Sequence, residues 1–143
     1  GRVMDAFLTD GLRSLLTIPV NKMGEYTVRW PGHIQKYQNT ELNPEELVEV
    51  WRMDYSRPEF TWMEVSIKSG DSSQTWIVED KGKDGDSSMA RTTGLVTSSS
   101  VIAWIDRPNM LKSGVFAPED LPNDVIDLVI DVMRSEGVSI VLL

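Results

Sequence analysis

At 143 residues the chain has the length of one domain, and its 41% hydrophobic and 25% charged side chains suit a globular protein that buries a core without staples. It has no cysteine, which removes disulfides, a thiol nucleophile and thiolate metal sites together and fits a reducing, cytoplasmic setting. A formal net charge of -8 repels phosphate backbones, so nucleic-acid binding is not expected, and no apolar run approaches the ~20 residues of a membrane span.

Val3 to Thr9 reads as a strand, broken by Asp10-Gly11, and Leu12 to Leu16 as one helical turn. Tyr26, Val28 and Trp30 alternate with polar neighbours, so Glu25 to Trp30 is a strand that Pro31-Gly32 terminates. A short helix is expected over His33 to Gln38. Asn43-Pro44-Glu45-Glu46 is a helix start with Asn as N-cap and Pro at the first helical position, and this helix is expected to reach Met53. Phe60 to Lys68 and Gln74 to Glu79 form a hairpin about Gly70-Asp71. Phe60, Trp62 and Trp76 are expected to make an apolar patch on its outer face, suited to an interface or to packing under a helix.

Asp80 to Asp86 reads as a polar loop whose end, Asp86, Ser87 or Ser88, caps a long helix over Met89 to Asp106, which Pro108 stops. That helix carries a run of small residues: Ala90, Gly94, Thr97, Ser98, Ser99 and Ser100. Small side chains let a neighbouring element approach closely. A further helix begins near Pro122-Asn123, with an apolar stripe of Val125, Ile126, Val129, Ile130 and Met133, and ends at Gly137. Val138 to Leu143 is apolar except for Ser139, the pattern of a strand buried on both faces. About five strands and three or four helices without strict alternation predict an α+β fold, a mixed, largely antiparallel sheet covered by helices. The chain is expected to be a single domain over 1–143. It opens on Gly1-Arg2-Val3 and stops inside an apolar run, so it is also expected to be a fragment of a larger two-domain protein.

The common catalytic sets are incomplete. His33 is the single histidine, and there is no Gly-x-Ser-x-Gly elbow, no Gly-x-Gly-x-x-Gly and no Walker loop. The Asp80–Asp86 segment loosely echoes a calcium loop, but the twelfth position, where such a loop needs a bidentate Glu, holds Arg91. No metal is therefore expected. Arg13 and Arg29 each stand near a strand end beside a turn. A guanidinium there can grip a carboxylate bidentately; the alternative is an ion pair with a local acid such as Asp10 or Glu25.

Four segments resemble, in the same order, the saccharopine dehydrogenase-like family of amino-acid dehydrogenases: GRVMDAFLTDGLRSLL (1–16), MGEYTVRWPGH (23–33), SSMARTTG (87–94) and GVFAPEDL (114–121). The resemblance implies the second domain of such an enzyme, similar to the C-terminal domain of glyceraldehyde-phosphate dehydrogenase. It further implies a homodimer and an amino-acid substrate of the lysine or saccharopine kind. NAD or NADP would be bound mainly by a Rossmann domain that this chain lacks. By matching motifs, Arg13, Arg29 and His33 become candidates for the substrate side. Where the family commonly reads Leu-Arg-Tyr, this chain has Val28-Arg29-Trp30, with no Tyr hydroxyl. The alternative of a different class is a non-catalytic dimerisation or binding module of the same fold.

Overall fold

Antiparallel strand pairs and helices make up an α+β fold in the computed structural model, which describes residues 3–9, 11, 13–109 and 113–143. Two units emerge, 1–53 and 54–143. The expected break at Asp10 and the start of the helical turn at Leu12 lie outside the described residues. The five strands among the described residues divide between two sheets, one in each unit, where the sequence suggested a single layer.

In the first unit β1 (Asp5–Thr9) pairs antiparallel with β2 (Glu25–Arg29). A 3-10 turn, Arg13–Thr17, lies in the connection. The register sets Asp5 against Arg29, Phe7 against Thr27 and Thr9 against Glu25, so these six share one face. Thr9 Oγ1 donates to Glu25 Oε1 at 3.0 Å, which fastens that end of the ladder. α1 (His33–Gln38) and α2 (Pro44–Val50) follow. The start of α2 is a complete capping box: the Asn43 side chain accepts from the Glu45 and Glu46 amides at 3.0 Å, and Glu46 Oε2 accepts from the Asn43 amide at 2.9 Å. α2 ends at Trp51, short of the expected Met53, and Trp51 packs back on α1.

The second unit holds every fully buried side chain among the described residues. β3 (Phe60–Ser69) and β4 (Ser72–Lys81) are joined by Gly70-Asp71 alone. Gly70 at φ 58°, followed by Asp71 outside the left-handed region, is the type II′ pattern that matches strand twist. The pairing sets Val65 against Trp76 and Glu79 against Trp62. Trp62 and Trp76 therefore point to opposite sides of the sheet, and the expected Phe60/Trp62/Trp76 patch does not form. The error lay in the offset between the strands: a two-residue turn pairs residues whose numbers sum to 141, so an even-numbered residue meets an odd-numbered one.

β4 runs to Lys81, and a second tight turn replaces the expected long loop. Asp84 (φ 56°) and Gly85 (φ 92°) occupy its left-handed positions, and Lys83 and Asp86 exchange both backbone hydrogen bonds at 3.0 Å. α3 (Ser88–Asp106) starts there, with the Ser87 hydroxyl accepting from the Ala90 amide at 3.2 Å. Its first turn is tied to the sheet by polar groups. Glu59 accepts from the Ser88 amide and hydroxyl at 2.6 and 2.5 Å, and the Ser88 hydroxyl lies 2.7 Å from Thr61 Oγ1. One turn on, Arg91 grips Asp80 through Nε at 3.0 Å and also donates to the Glu136 carbonyl at 2.9 Å. The Asp80 carboxylate holds the Arg91 guanidinium above its ordinary pKa, chiefly through that hydrogen bond. Asp80, the first ligand of the imagined calcium loop, is thus neutralised by the very residue that stands where the loop's Glu should be.

α4 (Asn123–Ser135) packs antiparallel to α3: Arg91 reaches the Glu136 end, while Arg107 lies 4.0 Å from Asp124 at the other. Val125 and Met133 from α4, with Ser99 and Ala103 from α3, are buried. Among the described residues β5 (Ser139–Leu142) pairs with β4 alone. It was expected to be buried on both faces; it is a sheet edge, and Val141 and Leu142 stay half-exposed, whereas Val138 just before it is buried. Hydrophobic content gave the strand but not its place in the sheet. No described helix is long and apolar enough to cross a membrane.

Gly94 sits in the middle of α3 with nothing within 4 Å of where a Cβ would stand. Gly94→Ala should raise stability by about 0.5–1 kcal/mol through lower unfolded-state entropy and better helix propensity. Urea denaturation checks it; an unchanged or lower midpoint would mean that this stretch is not helical in solution.

Candidate functional site

Arg29 is the last residue of β2, and the chain turns immediately afterwards. Pro31 ends the strand, Gly32 takes φ 82°, and the His33 amide donates to the Trp30 carbonyl at 3.1 Å to begin α1. Any side chain at position 32 would strain that left-handed backbone. The turn is pinned from across the sheet: the Gly32 amide donates to Asp5 Oδ2 at 2.9 Å. Asp5 is the cross-strand partner of Arg29, so the residue whose backbone pairs with Arg29 also holds the turn through its carboxylate. The Arg29 guanidinium is exposed and folds back through Nη1 onto the Val28 carbonyl at 2.9 Å. Among the described residues the guanidinium is turned to this carbonyl and makes no ion pair with Glu25, four residues back along the strand.

His33 is half-buried, with its ring 4.7 Å from the Trp51 ring at 47°. This contact joins α1 to the end of α2 and orients the imidazole by packing. Arg13 opens the 3-10 turn and is exposed. It belongs to the connection leaving the Thr9–Glu25 end of the hairpin, whereas Arg29 and the turn to His33 lie at the Asp5 end. Arg29 and His33 therefore flank one turn, and Arg13 is attached at the other end of the ladder. The ion pair imagined between Arg13 and Asp10 involves a residue outside those described.

An open depression of about 560 Å³ begins where this turn ends, lined by Gly32, Gln35, Lys36, Asn39, Thr40 and Glu41. Its size is within the range of small-molecule sites, but it is lined by polar residue types and a glycine, with one cation and one anion and no aromatic or aliphatic side chain. Neither Arg29 nor His33 lines it; Gly32, between them, does. Lys36 and Asp5 went unnoticed in the sequence. Lys36 carries no motif, and the signal for Asp5 was its place across from Arg29, which needs the strand register to be seen. Among the described residues no group of three or more His, Cys, Asp or Glu side chains converges. No protein-family model matches the chain, and no curated protein matches it.

Proposed function

We propose that this chain is the substrate-binding and dimerisation domain of an NAD(P)-dependent amino-acid oxidoreductase of the saccharopine or lysine dehydrogenase type, working in the cytoplasm as a homodimer. The observation that carries the reading is the exposed Arg29 guanidinium at the end of β2, beside a Gly32 turn held by Asp5. A rigid strand end limits the backbone entropy lost on binding, and the planar fork suits a substrate carboxylate. Lys36, in the adjoining depression, is a second cation near the turn, accompanied there by Glu41. The four-segment resemblance supports the amino-acid class, and with it the likeness to the glyceraldehyde-phosphate dehydrogenase C-terminal domain. The nicotinamide cofactor supplies the hydride chemistry, and this domain supplies orientation and charge. No strand-to-helix passage in the chain has the Gly-rich turn that would lay a pyrophosphate on a helix N-terminus, so the dinucleotide belongs to a Rossmann domain joined to this one.

Steady-state kinetics of the intact two-domain enzyme test the reading, with lysine or saccharopine and NAD(P). Arg29→Ala should lower kcat/KM by the equivalent of about 2–4 kcal/mol, and Arg29→Lys should recover only part, because it keeps the charge and loses the fork. Melting must stay unchanged in both variants. Activity of Arg29→Ala within twofold of wild type would make Arg29 structural. Calorimetric titration of the 143-residue chain with NADH and NADPH should show no binding; micromolar affinity would overturn the division of labour. The outer edge of β3 from Trp62 to Ser69, which pairs with no other strand among the described residues, favours a second reading, a module kept for its interface alone. The coding sequence upstream of Gly1 discriminates: a strand–GxGxxG–helix supports the enzyme, and its absence supports the module.

A further inference from the structure

β3 is the outer strand of its sheet, ten residues long, and its last eight, Trp62 to Ser69, are all exposed. It contains no proline, one of the devices that keep an edge from pairing; its charges are Glu64 and Lys68, which block a partner only where they find no opposite across the edge. The two-residue turn makes Ser69 and Ser72 a hydrogen-bonded pair, and such pairs alternate along an antiparallel ladder. Thr61, Met63, Val65 and Ile67 therefore direct their backbone groups to β4. Trp62, Glu64, Ser66 and Lys68 direct theirs outward, to the unpaired edge.

We propose that this edge pairs antiparallel with the same edge of a second copy, about a twofold axis at Ser66, to make a continuous six-stranded sheet. Only registers that match outward residues with outward residues can form hydrogen bonds, which restricts the choice. Centring on Glu64 sets two carboxylates face to face. Centring on Val65 sets Lys68 against the partner's Trp62 and leaves both charges without opposites. Centring on Ser66 sets Glu64 against the partner's Lys68 twice and Val65 against the partner's Ile67 twice. Opposite charges and β-branched pairs directly across a ladder are the favourable cross-strand combinations, and like charges there are unfavourable. The strand is thus complementary to itself in one register, as an isologous contact requires. Within its own hairpin neither charge has an opposite: Glu64 faces Ile77 and Lys68 faces Ser73. The complementarity is left for a partner. Half-exposed Met63, Val65 and Ile67 would extend across the axis as one apolar ribbon.

This refines the dimer part of the function proposed above. Its readout is association, not turnover, so its failure leaves the Arg29 reading standing, and the reverse also holds. Sedimentation of the 143-residue chain at several concentrations should show a dimer. Glu64→Lys and Lys68→Glu should each weaken it about tenfold or more, since each turns two attractive pairs into two repulsive ones. The double variant, carrying both changes, should restore the wild-type constant. Melting of the dissociated chains should stay unchanged, because neither residue faces a charge in β4. A wild-type chain that remains monomeric overturns the proposal, as do single variants that dimerise normally or a double variant that does not recover. Ser66→Cys gives an independent measurement, because the chain has no other thiol. Nitroxide labels there should lie within about 20 Å of each other, since paired strands are ~4.8 Å apart. A longer separation in the dimer would place the interface elsewhere.

Discussion

Arg91→Ala should destabilise the second unit by about 3–5 kcal/mol, the usual cost of stripping one partner from a buried ion pair. The Asp80 side chain is 3% exposed and that of Arg91 11%, so the two charges are withdrawn from water together. Removing Arg91 leaves the more deeply buried charge without its counter-ion, and it also releases the Glu136 carbonyl that links α4 to α3. Asp80→Ala should cost less, about 1–3 kcal/mol, because the longer arginine stem lets its guanidinium swing out to solvent. Replacing both, Asp80→Leu with Arg91→Met, should recover much of the loss, since well-packed apolar groups can match a buried pair. Chemical denaturation of the four proteins gives the order. If Arg91→Ala unfolds within about 1 kcal/mol of wild type, the pair is open to water in solution and does not hold α3 to β4.

That pair shows where the sequence was legible and where it was not. The start of α2 could be read directly, with Asn43 as N-cap and Pro44 at the first helical position, because the two are adjacent in the chain; the return bond from Glu46 that completes the box was added by the structure. So could the Gly70 turn, the apolar stripe of α4 and the Gly137 stop. Each is a local decision of backbone conformation or helical period. Arg91 and Asp80 were both noticed, yet only as members of a failed calcium loop, since their meeting depends on α3 folding back over the hairpin. The tryptophans failed for the same reason. Period-2 alternation assigns Trp62 and Trp76 to faces of their own strands, but only the register says whether those faces agree. The terminal strand failed on its neighbours: an apolar run does not reveal whether it lies at the centre of a sheet or at its edge.

The candidate site divides along the same line. Arg29 at a strand end and Gly32 in a left-handed turn follow from Val-Arg-Trp-Pro-Gly. Asp5 comes to the turn from 27 residues away, through the β1–β2 pairing, to accept from Gly32. The His33 ring could be proposed as a ligand contact from its motif, but its packing on Trp51 depends on the return of α2 against α1.

Ser99→Leu should cost about 3 kcal/mol, whereas Ser98→Leu, one residue away, should cost nearly nothing. The small residues of α3 look alike in sequence, and they have different surroundings. Ser99 is 0% exposed and Ser98 faces water. The contacts at the two ends of the α3–α4 pair place Ser99 level with the middle of α4, about Val129 and Ile130. Its hydroxyl donates back to the Leu95 carbonyl at 2.5 Å, so its removal leaves no orphaned partner on α4. The penalty would come from the volume of three added carbons pressed between two helices at close approach. Ser99→Ala removes the hydroxyl without adding volume and should change stability by less than about 1 kcal/mol. Thermal and urea unfolding of the three variants separate the terms. Equal destabilisation by Ser98→Leu and Ser99→Leu would mean that α3 turns no particular face to α4. A large loss with Ser99→Ala would move the cause from packing to the hydroxyl.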